Sequence, residues 1–187
     1  MKIQILMSTY NGEKYIRTQL DSIIGQQVER KELLIRDDGS TDHTVEIIQE
    51  YLKRYPWIKF YQGPNVGVRK SFMELIANAD SDAEFVALAD QDDQWDSMKL
   101  SRAIECLKKM NQELPLLYCS DKIIVDRNLE PINTAVNRKV RRISFGNALV
   151  QNICTGCTSV MNHNLVRLLC DYCPVNPDEM IMHDWWI

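Results

Sequence analysis

Short apolar runs alternate with longer segments of helical periodicity from the first residues of this chain, and this alternation restricts the folds open to it. Ile3–Met7 is a continuous apolar run, which is typical of a buried strand. An apolar face with a period of about 3.6 follows and predicts a helix; it is formed by Tyr15, Ile16, Leu20, Ile23 and Ile24. The same two patterns recur as far as residue 119. They predict an α/β fold with a mostly parallel central sheet and helices on both faces.

The strands predicted in this part of the chain cover residues 3–7, 33–35, 58–60, 85–89 and 116–119. The helices follow apolar positions within residues 15–24, 45–52, 72–79 and 100–107. Thr41 or Asp42 is expected to cap the second helix, since short polar side chains favour that position. After about Asp126 the rhythm is lost, and a weak strand at Ser159–Met161 and a helix at Leu165–Leu169 are predicted.

Composition places the chain among ordinary globular proteins. It has 187 residues, of which 45% are hydrophobic and 26% charged, enough for one domain with a full core. A net charge of −4 argues against a nucleic-acid partner. No stretch approaches the roughly 18 apolar residues that span a bilayer, and the first residues are too short for a signal peptide. The cytoplasm is therefore the expected location.

Polar clusters follow three of the first four predicted strands. They are Thr9-Tyr10-Asn11, Asp37-Asp38 and Asp90-Gln91-Asp92-Asp93. In open parallel sheets ligands bind at the carboxyl ends of the strands, so these clusters mark the expected site. A helix cap explains one Asp at each end, but three carboxylates within four residues repel one another unless a cation neutralises them.

The last cluster therefore predicts a divalent metal site. Mg²⁺ and Mn²⁺ prefer oxygen ligands and commonly bind through one or two carboxylates together with substrate phosphates. No Gly-x-x-x-x-Gly-Lys-Ser/Thr stretch is present, which argues against a P-loop nucleotidase.

An ordered set of motifs carries a resemblance to a known family. The set is Ser8-Thr9-Tyr10-Asn11-Gly12, Asp37-Asp38-Gly39-Ser40-Thr41-Asp42, Asn65-Val66-Gly67, Leu88-Ala89-Asp90-Gln91-Asp92-Asp93-Gln94-Trp95, Thr155-Gly156-Cys157-Thr158 and His183-Asp184-Trp185-Trp186. In this order they resemble the family 2 glycosyltransferases, which are inverting enzymes with a GT-A fold. The Asp-Gln-Asp-Asp-x-Trp and His-Asp-Trp-Trp variants are similar to rhamnosyltransferase-like members that build bacterial surface polysaccharides.

The resemblance implies one domain over residues 1–187. A Rossmann-like half that binds the nucleotide sugar would cover residues 1–112, and an acceptor-side half, incomplete at its C-terminus, residues 113–187. The implied donor is a dTDP- or UDP-sugar, with dTDP-rhamnose as the family-level preference. The implied acceptor is a glycan or a lipid-linked saccharide, and peripheral association with the inner face of the membrane is expected through a missing C-terminal part.

The resemblance also implies roles for donor-side residues. Thr9 and Tyr10 would flank the pyrimidine ring, Asn11 would shape the adjoining turn, Asp38 would accept a hydrogen bond from the base N3–H, and the Asn65 loop would lie near the donor.

The remaining donor-side residues come from the fourth strand end. Asp90 would lie near the ribose, Gln91 would be a further nucleotide-sugar-binding residue, and Asp92 would ligate the Mg²⁺ or Mn²⁺ that bridges the diphosphate. Arg69 or Lys70 could reach a phosphate, although solvated basic side chains are common at exposed helix starts.

On the acceptor side, Asp184 matches the position of the catalytic base. A positioned carboxylate suits that task because the attacking hydroxyl must lose its proton, and a place beside two indoles would raise its basicity. The acceptor-side group is Asp93, Trp95, Thr155, Gly156, Trp185 and Trp186. Without the resemblance, Asp184 would be interpreted as a helix cap and the tryptophans as core.

Three alternatives come from the residues alone. Cys154-x-x-Cys157 and Cys170-x-x-Cys173 have the spacing of a zinc ribbon, but they lack glycine-rich knuckles and free cysteines are commonly buried. A Mg²⁺-dependent nucleotidyltransferase would also use acidic clusters, with a basic glycine-rich loop in place of Ser-Thr-Tyr-Asn-Gly. A phosphoacceptor domain, a non-catalytic metal- and phosphate-binding fold, would need acidic residues after the first strand.

Overall fold

The computed structural model describes residues 1–132, 152, 154–171 and 182–187, except for the side chains of Trp185 and Trp186. Its strands are β1 Ile3–Thr9, β2 Lys31–Asp37, β3 Ile58–Gln62, β4 Phe85–Ala89, β5 Leu117–Cys119 and β6 Ser159–Asn162. Its helices are α1 Ile16–Ile24, α2 Thr44–Leu52, α3 Gly67–Ala77, α4 Lys99–Lys108, α5 His163–Asp171 and α6 His183–Trp186, and a 3₁₀ turn covers Gly156–Thr158.

The strands form one sheet in the order β3-β2-β1-β4-β6-β5. The first four are parallel, whereas β6 runs antiparallel to both β4 and β5. The strand order reverses between β1 and β4, and the carboxyl ends of parallel strands at such a point border a crevice. The predicted mostly parallel α/β sheet is therefore confirmed, with two antiparallel strands at one edge.

Helices cover both faces of this sheet, as predicted. Helices α1, α2 and α4 share one apolar cluster with alternate strand residues such as Ile5 and Ile35. Helices α3 and α5 share a second cluster with the intervening residues, among them Leu6 and Leu34. Because successive strand side chains point to opposite faces, strands buried on both sides become continuous apolar runs. That requirement is the physical origin of the sequence pattern.

The predicted strands and helices are present, and the differences lie at their ends. Strand β1 continues to Thr9 and β2 to Asp37, because their polar residues are buried and hydrogen-bonded at the sheet edge. The N-cap of α2 is His43 and not the predicted Thr41 or Asp42, although Asp42 accepts the backbone N–H of Thr44 in the first turn at 3.0 Å. Thr41 instead donates its backbone N–H to the Asn11 side chain at 2.8 Å. Within the described ranges, no helix is long and apolar enough to cross a bilayer.

Candidate active site

A cleft of about 420 Å³ opens at the carboxyl ends of β1, β2 and β4, where the strand order reverses. It is lined by Ser8, Tyr10, Asp38, Asn65, Gly67, Val68, Phe72, Asp90, Gln91 and Asp92. Four of the six sequence motifs therefore meet in one cavity, at the place that the strand-end pattern predicts.

Tyr10 lies at the mouth of the cleft on a loop that Gln91 holds. Its side chain is 46% exposed, so the ring face is available to a ligand. The Gln91 amide accepts the backbone N–H of Tyr10 and donates to its carbonyl, both at 2.9 Å. Gly12 leaves room for this amide, because a Cβ there would lie 2.3 Å from Gln91 Oε1. Gln91 thus works as a clamp between the ends of β1 and β4.

Thr9 and Asn11 lie beside this loop and shape it from behind. Thr9 is buried and its hydroxyl donates to Asp37 Oδ1 at 3.1 Å. Asn11 has a φ of +48°, a left-handed conformation that asparagine tolerates better than most residues. Its Oδ1 accepts the Thr41 backbone N–H. Neither side chain lines the cleft, so both support its wall.

The two aspartates after β2 have different surroundings. Asp37 is buried and its Oδ2 accepts the backbone N–H groups of Gly39 and Ser40, at 3.2 and 2.9 Å, which closes the turn. Gly39 has a φ of +81°, where glycine carries no steric penalty. Asp38 is the one that lines the cleft, with only 3% of the residue exposed.

Asp38 is held by an arginine that the strand pattern did not single out. Arg36 is buried and donates to Asp38 Oδ1 at 2.6 Å. Asp38 also accepts the backbone N–H groups of Val66 and Gly67, each at 2.9 Å. The available signal was a basic residue between the apolar run Leu33-Leu34-Ile35 and the Asp37-Asp38 pair, since a charge buried at a strand end needs a partner.

At the end of β4, Asp90, Asp93 and Cys157 come together. One ligand atom from each lies within 4.8 Å of the others. Burial, together with the nearby charges of Asp93 and Asp92, raises the pKa of Asp90 to about 6. Burial, with Asp93 and Asp90, also raises the pKa of the Cys157 thiol. Asp92, the predicted metal ligand, is exposed and lines the cleft beside this group without belonging to it.

The donor set suits a divalent cation. Carboxylate oxygens are the ligands that Mg²⁺ and Mn²⁺ prefer, and a cation would relieve the repulsion that raises the pKa of Asp90. Cys157 is one of the four cysteines whose spacing in the sequence resembles that of a zinc ribbon. In the described ranges, Asp90, Asp93 and Cys157 are the one group of three or more metal-ligating side chains this close together. Cys170 is exposed on α5, and Cys173 lies outside the described residues.

Lys99 is a second cation that the sequence reasoning missed. Its Nζ lies 3.5 Å from the centroid of the Trp95 ring and donates to the Cys157 carbonyl. Burial lowers the pKa of Lys99 to about 8, although Cys157, Asp93 and Asp90 oppose that shift. Trp95 itself is 6% exposed and packs in the larger apolar cluster. Trp95 is thus a buried core residue and does not line the cleft.

On the predicted acceptor side, α6 meets the 3₁₀ turn. Asp184 Oδ2 accepts the Gly156 backbone N–H at 3.1 Å. His183 is buried and stacks on Phe72, with ring centroids 4.1 Å apart; burial lowers the pKa of His183. A Cβ on Gly156 would lie 2.7 Å from His183 Nε2, so only glycine lets the two segments approach.

Asp184 lies inside α6, whose cap position is Met182, so it does not act as the helix cap that its bare sequence context favoured. The Thr155 hydroxyl accepts a hydrogen bond from Lys122 Nζ at 3.1 Å. The side chains of Trp185 and Trp186 lie outside the described residues. The turn and α6 therefore bring Asp184, Thr155 and Gly156 to one side, next to a cleft wall formed by Phe72.

Comparison with known proteins agrees with this architecture. The dTDP-rhamnosyl transferase RfbG of Shigella flexneri is 41% identical over 106 residues, covering 54% of this chain and 36% of that protein. The putative glycosyltransferase EpsH of Bacillus subtilis is 31% identical over 121 residues, covering 63% of this chain and 33% of that protein. The chain thus spans about a third of the length of these curated relatives.

Solved structures show the same fold. Residues 1–349 of S. aureus TarS, crystallised with UDP, superpose with a TM-score of 0.72 at 22% identity over 99% of this chain and 53% of that chain. The TarS complex with UDP-GlcNAc is 31% identical over 58% of this chain and 32% of that chain, with a TM-score of 0.53. The model of the family described as "Glycosyl transferase family 2" matches residues 4–166. The chain therefore belongs to glycosyl transferase family 2 and has the GT-A fold of that family.

Proposed function

We propose that this chain binds a dTDP- or UDP-sugar with Mg²⁺ or Mn²⁺ and transfers the sugar, with inversion, to a glycan or lipid-linked acceptor in bacterial surface polysaccharide synthesis. The observation that carries the proposal is a single cleft with a fixed carboxylate acceptor, Asp38, at one end and the acidic residues Asp90 and Asp92 at the other. A nucleoside diphosphate has matching parts, a base with hydrogen-bond donors and a diphosphate that binds metal.

The base end would hold a pyrimidine between Tyr10 and the Asn65 loop. Tyr10 offers an exposed aromatic face, and Asp38 offers carboxylate oxygens that accept the base N3–H. The RfbG relative is named as a dTDP-rhamnosyl transferase, and TarS was crystallised with UDP, so both pyrimidines are candidates. The rhamnosyl relative supports rhamnose as the transferred sugar.

The diphosphate end would hold the metal through Asp92, which lines the cleft together with Asp90. Bound there, a divalent cation would offset the charge that builds on the leaving diphosphate. Gln91 would hold the Tyr10 loop beside the diphosphate end, because its side-chain amide forms two hydrogen bonds with the Tyr10 backbone.

Asp184 would take the proton of the acceptor hydroxyl as that oxygen attacks the anomeric carbon from the face opposite the diphosphate. Its hydrogen bond from the Gly156 backbone fixes one carboxylate oxygen and leaves the other for the acceptor. Thr155, Gly156 and Asp93 would border the acceptor.

Donor binding is tested by thermal unfolding with dTDP, UDP, GDP and ADP, each with and without Mn²⁺. A ligand at a hundredfold excess over its dissociation constant adds about 2.7 kcal/mol of stability. For a chain of this size, each kcal/mol of added stability raises Tm by roughly 2 to 4 °C. We expect dTDP or UDP to raise Tm only with Mn²⁺, and Asp92→Asn to remove that rise. Asp82→Asn, an exposed carboxylate elsewhere, is the matched control. UTP and dTTP are added to the panel, because stabilisation by nucleoside triphosphates alone would favour a nucleotidyltransferase instead.

The base is tested by Asp184→Asn in the complete protein. Asparagine still accepts the Gly156 N–H but cannot take a proton, so we expect donor affinity to persist while transfer falls by about a thousandfold. Glu113→Gln, another exposed carboxylate, is the control. Turnover by Asp184→Asn at the wild-type rate would contradict the assignment.

A further inference from the structure

Arg36 is a charged side chain buried in the sheet layer beneath the cleft. It is 0% exposed. Its guanidinium donates to Asp38 at 2.6 Å, to Ser71 at 3.1 Å, to Glu74 at 2.8 Å and to the Pro64 carbonyl at 3.2 Å. Burying a guanidinium is costly unless its donors are satisfied, and here they are met from four directions. The side chain therefore has one defined position.

The loop that follows β3 is built around this guanidinium. A Cβ on Gly63 would lie 2.6 Å from Arg36 Nη2, so a larger residue would displace the guanidinium or the loop. The same loop continues to Asn65 and Gly67, which line the cleft. Ser71, which accepts from Arg36, lies 2.6 Å from the hydroxyl of Ser8, another lining residue. Arg36 thus contacts two segments that carry cleft-lining residues, the loop after β3 and helix α3.

Asp38 is the contact of Arg36 that faces the ligand. Oδ1 accepts from Arg36 and from the Val66 N–H, and Oδ2 accepts from the Gly67 N–H, so the plane of the carboxylate is fixed. Each carboxylate oxygen has two lone pairs, and Oδ2 therefore keeps one for a further donor.

Glu74 affects the net charge of the group around Asp38. It binds the opposite edge of the guanidinium, and its side chain is 43% exposed against 4% for Asp38. Two carboxylates share one guanidinium, so this group of three carries a net negative charge. The base end of the cleft is thereby an acceptor site and disfavours ligand atoms that carry lone pairs.

We propose that Arg36 is a positioning residue that sets the base specificity of the cleft, by holding the Asp38 carboxylate in one orientation toward the ligand. The inference rests on the proposed function, since it takes the ligand to be a nucleoside diphosphate. Uracil and thymine present a ring N3–H to that carboxylate. Cytosine presents a lone pair at N3 and is rejected because two acceptors face each other.

The test compares two ligands that differ at this edge of the base. Titration calorimetry with Mn²⁺ gives the dissociation constants of UDP and CDP, and of dTDP and dCDP, for the wild type and Arg36→Met. We expect the wild type to prefer the uracil or thymine nucleotide by about tenfold or more, and Arg36→Met to reduce that ratio to near one. Arg17→Met is the matched control, because Arg17 forms an exposed ion pair on α1; its ratio should equal that of the wild type.

Circular dichroism establishes that each variant is folded. If Arg36→Met does not fold, Arg36→Lys replaces it: lysine keeps the charge but lacks the planar fork that reaches four acceptors, so the ratio should fall part of the way. A folded Arg36 variant that binds both nucleotides more weakly by the same factor would overturn the inference and leave the proposed function standing. A wild type that binds none of the four nucleotides would overturn both.

Discussion

At the scale of single residues, the acidic group at the end of β4 combines burial with repulsion. The pKa of Asp90 is raised from 3.8 to about 6, first by burial and then by Asp93 and Asp92. When the pKa of an acid is higher in the folded state than in the unfolded state, ionising that acid lowers the free energy of unfolding. That penalty is absent below about pH 4, grows between pH 4 and 6, and is complete above pH 6.

We expect Asp90→Asn to raise the free energy of unfolding at pH 7.5 in the presence of a chelator, by an amount on the order of 2 kcal/mol. The gain should largely disappear at pH 4, because the carboxyl is then protonated in the folded state and the cost of ionising it there is no longer incurred. Urea unfolding at the two pH values measures it, with Asp82→Asn as the control. A variant that is less stable than the wild type at pH 7.5 would contradict the placement of Asp90.

Gly12 and Gln91 form a second residue-scale pair. Gly12→Ala places a Cβ where Gln91 Oε1 lies, so the amide must leave its two hydrogen bonds to Tyr10. We expect a loss of about 1 to 2 kcal/mol in stability and weaker nucleotide binding. In a Gln91→Ala background the same substitution should cost little, because the clash is gone. Chemical unfolding of the four proteins in this cycle measures the coupling, and equal costs in both backgrounds would refute it.

At the scale of secondary-structure elements, α6 is held to the rest of the molecule by a close contact with the 3₁₀ turn. His183 stacks on Phe72 of α3, and Gly156 gives α6 the room to reach the turn. The short helix thereby carries Asp184 to the cleft side. Its position depends on tertiary contacts, because a single helical turn has no stability of its own.

Gly156→Ala is expected to displace α6 and to weaken the bond between the Gly156 N–H and Asp184. A shift of about 1 Å in a catalytic group can reduce the rate by on the order of a hundredfold. Nucleotide affinity should change far less, because neither Gly156 nor Asp184 lines the cleft proposed to bind the nucleotide.

Transfer assays on the complete protein and calorimetry with UDP or dTDP measure the two effects. Gly25→Ala is the matched control: its φ is −70° and a Cβ there would have neighbours no closer than 3.5 Å. Equal losses of binding and transfer in Gly156→Ala would argue against the proposed role of α6.

At the scale of the whole molecule, two apolar clusters share one sheet. The larger lies under α1, α2 and α4, and the smaller under α3 and α5. Adjacent residues of one strand serve different clusters, as Ile35 and Leu34 do in β2. The two faces should therefore unfold together.

Ile35→Ala and Leu88→Ala test this coupling from opposite faces, since both side chains are 0% exposed. Each substitution is expected to cost about 2 to 5 kcal/mol of stability and to lower the midpoint of a single transition. Ile123→Ala, at a position 77% exposed, should change stability by less than about 0.5 kcal/mol. Urea unfolding followed by fluorescence and circular dichroism measures all three, and separate transitions by the two probes would contradict one cooperative unit.

Much of the fold was predictable because its causes are local. Strands buried on both faces must be apolar throughout, and helices that cover them must be apolar on one face, so β1 to β4 and α1 to α4 are readable from patterns. The carboxyl ends of parallel strands lie at one edge of the sheet, so Tyr10, Asp38 and Asp90 could be assigned to one cleft from the sequence alone. The family resemblance then named the chemistry, and the family itself is confirmed.

Tertiary structure alone decided which polar side chains meet. Arg36 contacts Glu74 across 38 positions of chain, and Lys99 reaches the Cys157 carbonyl across 58, separations that no local periodicity encodes. The insertion of antiparallel β6 between β4 and β5 is also a long-range result. The sequence thus determined the elements and the edge of the sheet that carries the site, because those follow from burial. The charge pairs and close approaches at that edge depend on packing between distant segments, and only the folded chain decides them.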